Sequence, residues 1–162
     1  VTNNDILRRL RYILDLSDSM MIAVFEQADL EVDREQISNW LKRDDDFDYQ
    51  QCNDKQLAIF LNGLINYKRG RKEGQQPKPE TRLTNNIILK KLRIAFDLKS
   101  EDMLGIIDHS GLALSKHELS AFFRKADHKH YRECKDQVLR NFLQGLQAKY
   151  RPESNSVDFT WD

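Results

Sequence analysis

The sequence is short of residues that staple or break a chain. Two cysteines in 162 residues cannot build the disulfide framework of a small secreted domain, so Cys52 and Cys134 are expected as buried free thiols. Three prolines and six glycines exclude a collagen-like or low-complexity chain. No apolar run approaches the roughly 18 residues of a membrane-spanning helix, and the first residues lack the basic, apolar, small-residue order of a secretory signal. The expectation is a cytoplasmic protein with no membrane partner. Net charge is zero, so the molecule as a whole has no pull toward nucleic acid or lipid. No segment alternates with period two for long enough to make a sheet. Catalytic patterns are missing too: no nucleophile with a base, no paired carboxylates at helical reach, and a "GRKEG" stretch without the spacing of a phosphate loop. The expectation is a protein that is not an enzyme and has no cofactor.

What the chain does have is a copy of itself. "TNNDILRRLRYILDL" at Thr2 returns as "TNNIILKKLRIAFDL" at Thr84, and a shift of 82 positions pairs residues 2–67 with 84–149 without a gap. Roughly a third of the pairs are identical, among them Asn4/Asn86, Arg11/Arg93, Asp15/Asp97, Ser38/Ser120, Tyr49/Tyr131, Cys52/Cys134, Asp54/Asp136 and Gly63/Gly145. The organisation predicted is a first repeat over 1–67, a linker over 68–83, a second repeat over 84–150 and a disordered tail over 151–162. The linker carries Gly70, Gly74, Pro77 and Pro79, which interrupt regular structure. The tail "PESNSVDFTWD" has no counterpart in the first copy. Charge is divided unevenly: residues 1–67 hold 7 Lys and Arg against 13 Asp and Glu, and residues 68–162 hold 19 against 13. An acidic first half and a basic second half attract each other, within a chain or between copies.

Each repeat predicts four helices. Ile6, Leu7, Leu10, Ile13 and Leu14 form an apolar stripe, from which Arg8, Arg9 and Arg11 fall away as a basic face, and Thr2 with Asp5 has N-cap spacing. Met21, Val24, Phe25 and Ala28 mark a second helix. Asp33/Gln36 and Ser115/Glu118 have the capping-box spacing that opens a third, whose inward residues are Ile37, Trp40 and Leu41 or Leu119, Phe122 and Phe123. Leu57, Phe60, Leu61 and Leu64, repeated as Leu139, Phe142, Leu143 and Leu146, give a fourth. The class is all-α: a tandem duplication of a four-helix unit with a pseudo-two-fold relation. Gly63 and Gly145 sit inside the fourth helices, where Gly costs roughly 1 kcal/mol against Ala. They predict a close crossing, of the two fourth helices with each other or with a first helix. Asp15 and Asp97, at the ends of the first helices, are expected to turn toward the amides that open the second.

Two sites invite a functional reading. The second and third segments resemble a helix-turn-helix with an overlong turn. In the first copy Asp44, Asp45, Asp46 and Asp48 would repel phosphate, whereas the second copy offers Lys90, Lys91, Arg93, Lys116, His117, Ser120, Arg124 and Lys125. "DHKHYREC" brings His128, His130 and Cys134 together, but the spacing fits no familiar zinc pattern and the first copy has Asp46, Asp48 and Cys52 there, so no metal site is expected. Tyr49/Tyr131 and Cys52/Cys134 predict core anchors for the loop before the fourth helix.

The "TNN" openings, with "FLNGLI" and "FLQGLQ" in the fourth segments, resemble the bacterial YehS-type family, a duplicated domain of unknown function. The resemblance implies a small cytosolic helical protein and supplies no activity, substrate or catalytic residue. The function expected is a non-enzymatic binding or regulatory protein, most simply a protein-interaction module that binds a protein partner or self-associates. The alternative is a nucleic-acid-binding regulator acting through the second repeat.

Overall fold

The computed structural model describes residues 1–154, and these are helical without a strand. The order is α1 (Asn3–Leu14), α2 (Asp18–Glu26), α3 (Arg34–Leu41), α4 (Asp54–Arg69), α5 (Asn85–Ala95), α6 (Ser100–His109), α7 (Lys116–Ala121) and α8 (Asp136–Tyr150), followed by a 3-10 turn at Pro152–Ser154. One compact unit takes in Val1–Leu83 and a second begins at Thr84, so each repeat is one unit of four helices. The tail expected to be disordered lies mostly outside the described residues.

The first unit starts as its sequence predicts. The Thr2 hydroxyl accepts from the Asp5 amide at 3.1 Å and the Asp5 carboxylate accepts from the Thr2 amide at 3.0 Å, closing the first turn of α1. Ser115 and Glu118 do the same for α7. At α3 the box is one-sided: Asp33 caps the Gln36 amide at 2.8 Å, but the Gln36 side chain donates to Gln50 Oε1 at 2.6 Å instead of reaching back. Asp15 and Asp97 have φ of 52° and 54°, a left-handed conformation that Asp tolerates better than most residues. There Leu16 and Leu98 donate their amides to Arg11 and Arg93 carbonyls at 3.0 Å, ending α1 and α5. The shared aspartates therefore stand where each first helix turns out of its last turn.

The fourth helices carry the centre of each unit. Leu57, Phe60, Leu61 and Leu64 are buried, as are Leu139, Phe142, Leu143 and Leu146. In the first unit Phe25 packs against Trp40 and Phe60, with ring centroids 5.3 and 5.1 Å away. The glycines do mark close crossings, but the partner is neither the other fourth helix nor a first helix. It is the second helix of the same unit. A Cβ on Gly63 would stand 2.9 Å from the Val24 carbonyl carbon and nearer still to its oxygen, and one on Gly145 would stand 2.7 Å from the Ile106 carbonyl carbon.

Two further expectations are corrected. Arg9 is not part of an exposed basic face: it is 5% exposed, and burial pulls its guanidinium down to about 10 against the opposing charge of Asp5. The segment read as a linker over 68–83 also begins late, because α4 runs through Arg69 and stops at Gly70, where φ is 93°. The rest of it is tied to the first unit. Arg71 donates to the Gln27 carbonyl at 2.8 Å and pairs with Asp29 at 2.8 Å, and the Leu83 amide donates to Asp54 at 2.9 Å.

Candidate functional site

The repeated "TNN" resolves into a polar clamp. Asn3 donates to the Cys52 carbonyl and to Asp54, at 3.1 and 2.8 Å, and Asn85 makes the same pair of bonds to Cys134 and Asp136, at 3.0 and 2.7 Å. The bond from Asn85 leads the effects that hold the Asp136 carboxyl below its usual range. Asn4 and Asn86 are buried and satisfy three backbone groups each. Thus the loop before α4 or α8 is fixed to the start of α1 or α5, and it is this fixed loop that presents the most exposed chemistry of each unit.

In the first unit that loop is acidic. Asp46 accepts the Asp48 amide at 2.9 Å and the Tyr49 amide donates to the Asp46 carbonyl at 3.2 Å, forming a tight turn. Its tip is Phe47, whose exposure is 100%, flanked by the exposed Asp44, Asp45, Asp46 and Asp48. In the second unit His128 takes over the role of Asp46: its Nδ1 accepts the His130 amide at 3.0 Å, and Tyr131 donates to the His128 carbonyl at 3.0 Å. The same turn therefore carries Lys129 where the first has Phe47. Sequence reasoning missed Phe47, two residues before Tyr49, because residue type alone does not say which aromatic ring is covered.

His128 and His130 stay on the surface with ring centroids 5.6 Å apart, while Cys134 is buried. Its thiol donates to the Lys135 carbonyl at 3.7 Å, and Cys52 donates to Asn53 at 3.8 Å. Burial first, then nearby carboxylates, push both thiols up to about 12. Titration with a thiol reagent at pH 8 should find neither cysteine reactive in the folded protein and both reactive in guanidinium.

Beside the clamp, α1, the start of α2 and α3 enclose a hollow of about 340 Å³ lined by Arg8, Arg11, Asp18, Ser38, Leu41 and Lys42. Each cation in it has an acid. Arg8 pairs with Asp5 at 2.7 Å, Arg11 with Asp18 at 2.7 Å and Lys42 with Asp48 at 3.6 Å. The corresponding second-repeat residues are Lys90, Arg93, Ser100, Ser120, Phe123 and Arg124, four of them named from sequence as nucleic-acid contacts.

The other residues so named have varied settings. Lys116 and His117 open α7 and are exposed, Lys116 pairing with Glu101 at 3.2 Å; Lys125 is exposed and Lys91 half-buried. The Ser120 hydroxyl donates to the His117 carbonyl at 2.9 Å. Helix α7 has 6 residues, and the chain from His109 to Lys116 is longer than the roughly three to four residues that join the helices of a DNA-reading pair. A separate groove of about 370 Å³ between α6 and α8 has Glu101, Asp102, His109 and Lys149 at its rim, a mixed set with no shared partner in the first unit. Among the described residues no helix is long and apolar enough to cross a membrane.

The fold thus defines an all-helical protein built by tandem duplication of a four-helix unit, with its distinguishing chemistry on matching loops. The chain belongs to the family described as "Protein of unknown function (DUF1456)", whose profile matches it twice, over residues 3–70 and 85–151. It is 46% identical over 148 residues to the uncharacterized protein YehS of Escherichia coli (strain K12), a match that covers 91% of this chain and 95% of that protein. No solved structure matches it.

Proposed function

We infer that this protein is a non-enzymatic interaction module, and that its contact element is the acidic turn around Phe47. The observation that carries this reading is the complete exposure of Phe47 on a turn held by its own hydrogen bonds. A solvated aromatic of this kind gains from burial on a partner, and its ring of carboxylates selects a basic rim. The partner of complementary charge is the basic half of a second copy, since residues 68–162 carry 19 Lys and Arg against 13 Asp and Glu. Association of that kind is steered by charge and weakened by salt.

Sedimentation equilibrium tests it. The average mass is expected to rise with protein concentration at about 50 mM salt and to fall toward the monomer at about 500 mM, where screening is strong. Phe47→Ala, at a position that supports no core, is expected to weaken association about tenfold, the scale of a lost interface anchor. A monomer at every concentration and low salt would sink the reading.

A second reading, contact with duplex DNA through the second repeat, is favoured by the exposed Lys116, His117 and Lys125 around α7. A salt-sensitive mobility shift with random duplex, lost in the triple Lys116→Ala, Arg124→Ala, Lys125→Ala variant, is its expected signature.

A further inference from the structure

The two repeats differ in a consistent way at the positions that line the first repeat's hollow. Around it the first repeat has three cations and three acids, paired as Arg8 with Asp5, Arg11 with Asp18 and Lys42 with Asp48. The second repeat keeps all three cations, as Lys90, Arg93 and Arg124, and replaces all three acids, by Ile87, Ser100 and His130. Among the described residues no carboxylate pairs with any of those three cations. Arg93 is held in place by donating to Ser100 Oγ and the Leu98 carbonyl, each at 3.2 Å, with its guanidinium 4.9 Å over the Phe123 ring. Arg124, next along the chain, has its Nε withdrawn from solvent with no acceptor. A buried, unpaired guanidinium nitrogen costs free energy that an acceptor would recover. Glu101, the acid next to Ser100 in sequence, is engaged by Lys116 at 3.2 Å.

We propose that the second repeat holds a phosphate group between Lys90, Arg93 and Arg124, with the hydroxyls of Ser100 and Ser120 beside it. In the first repeat Asp5, Asp18 and Asp48 occupy the same cations, so that hollow is closed to anions. Guanidinium forks suit a tetrahedral oxyanion, and positive charge without an internal partner is what such a ligand neutralises. The site shares Arg124 with the duplex reading, whose remaining residues, the exposed Lys116, His117 and Lys125, lie outside it. The phosphate belongs either to a nucleic-acid backbone or to a free phosphate compound.

The test follows amide and arginine Nε–H signals by NMR in the full chain, with inorganic phosphate titrated at constant ionic strength. Saturable shifts at Ser120, Arg124 and the Arg93 and Arg124 Nε–H are expected, with no comparable shifts at Arg8, Arg11 or Lys42. The informative variant is Ser100→Asp, which restores the acid that the first repeat places beside the matching arginine and is therefore compatible with folding. It should weaken phosphate about tenfold or more, as a like-charged group in the site would. Arg124→Gln is the second variant, and its spectrum reports folding directly. A parallel titration with a random duplex of about 20 base pairs separates the sources. Duplex shifts centred on Arg93 and Arg124 and lost in Ser100→Asp indicate backbone phosphate, whereas saturation by phosphate alone indicates a small phosphate ligand. Either outcome supports the site. No saturable shift with either probe, or shifts that persist in Ser100→Asp, would overturn it.

Discussion

Gly145→Ala is expected to destabilise the second unit by about 2–4 kcal/mol, while Gly105→Ala, the same chemical change one helix away, is expected to stabilise it by roughly 0.5–1 kcal/mol. Both glycines lie within helices, α8 and α6, so the intrinsic gain from replacing Gly with Ala is shared. They differ in what a methyl group would meet. At Gly105 nothing lies within 4 Å of an added Cβ. At Gly145 the Cβ would fall inside the van der Waals envelope of the Ile106 carbonyl, 2.7 Å from its carbon and closer to its oxygen. A side chain in the way would change rotamer, but a carbonyl engaged in the α6 backbone moves only if the helix moves. The crossing of α6 and α8 would open along its whole length, and Met103, Ile107, Phe142 and Leu146, all buried, would lose contact together. Gly63→Ala should behave like Gly145→Ala, since Val24 stands in the same relation to it. Urea denaturation with the midpoints compared at fixed slope checks all three. A Gly145 variant as stable as the parent would remove the close crossing from the account.

That contrast also marks how far the sequence can be read unaided. The duplication, the eight helices and the apolar stripes are legible because periodicity depends on neighbours along the chain, and Leu57, Phe60, Leu139 and Phe142 lie where their spacing puts them. The special status of Gly63 and Gly145 is legible as well, since an unfavourable residue recurs at one position. The identity of the crossing partner is not, because periodicity fixes which face of a helix is buried and leaves open which helix covers it. Arg9 was misplaced for a related reason: charge assigns a residue to the surface only when burial is not compensated, and a nearby Asp5 is visible in sequence only as one carboxylate among many. At the candidate sites, Lys90, Arg93, Ser120 and Arg124 were found as basic and polar positions. What distinguishes them, the absence of counterparts to Asp5, Asp18 and Asp48 at the matching positions, needs the pairings of the first repeat to be seen in space. Phe47 was missed because neighbouring aromatics in a sequence do not say which of them faces water.

The largest effect from a single polar side chain is expected at the second asparagine of each "TNN". Asn86 donates to the Phe122 carbonyl at 3.0 Å and to the Arg132 carbonyl at 2.8 Å, and its Oδ1 accepts the Cys134 amide at 2.9 Å. Asn4 makes the matching bonds to Trp40, Gln50 and Cys52 at 2.8, 2.9 and 3.0 Å. One amide group therefore joins a first helix, the end of a third and the loop before a fourth, using both donor hydrogens and the acceptor. Asn is the residue that can do this: Asp lacks the donors, and Gln carries the group one methylene too far for a packed site. Asn86→Ala would leave two carbonyls and one amide without partners in a region where Asn86 is 6% exposed. At about 1–3 kcal/mol for each orphaned buried group, with some relief from water entering the gap, a loss of about 3–5 kcal/mol is expected. Asn85→Ala should cost less, about 1–2 kcal/mol, because Asp136 is exposed and water can replace that bond, leaving the Cys134 carbonyl as the one partly buried group to lose its side-chain donor. Hydrogen exchange supplies the second readout: in Asn86→Ala the Cys134 amide should lose protection by orders of magnitude more than amides in the centre of α8, since the loop would open locally before the unit unfolds. If the Asn86 variant lies within about 1 kcal/mol of the parent and the Cys134 amide stays protected, those three bonds contribute little and the repeated asparagine must be kept for another reason.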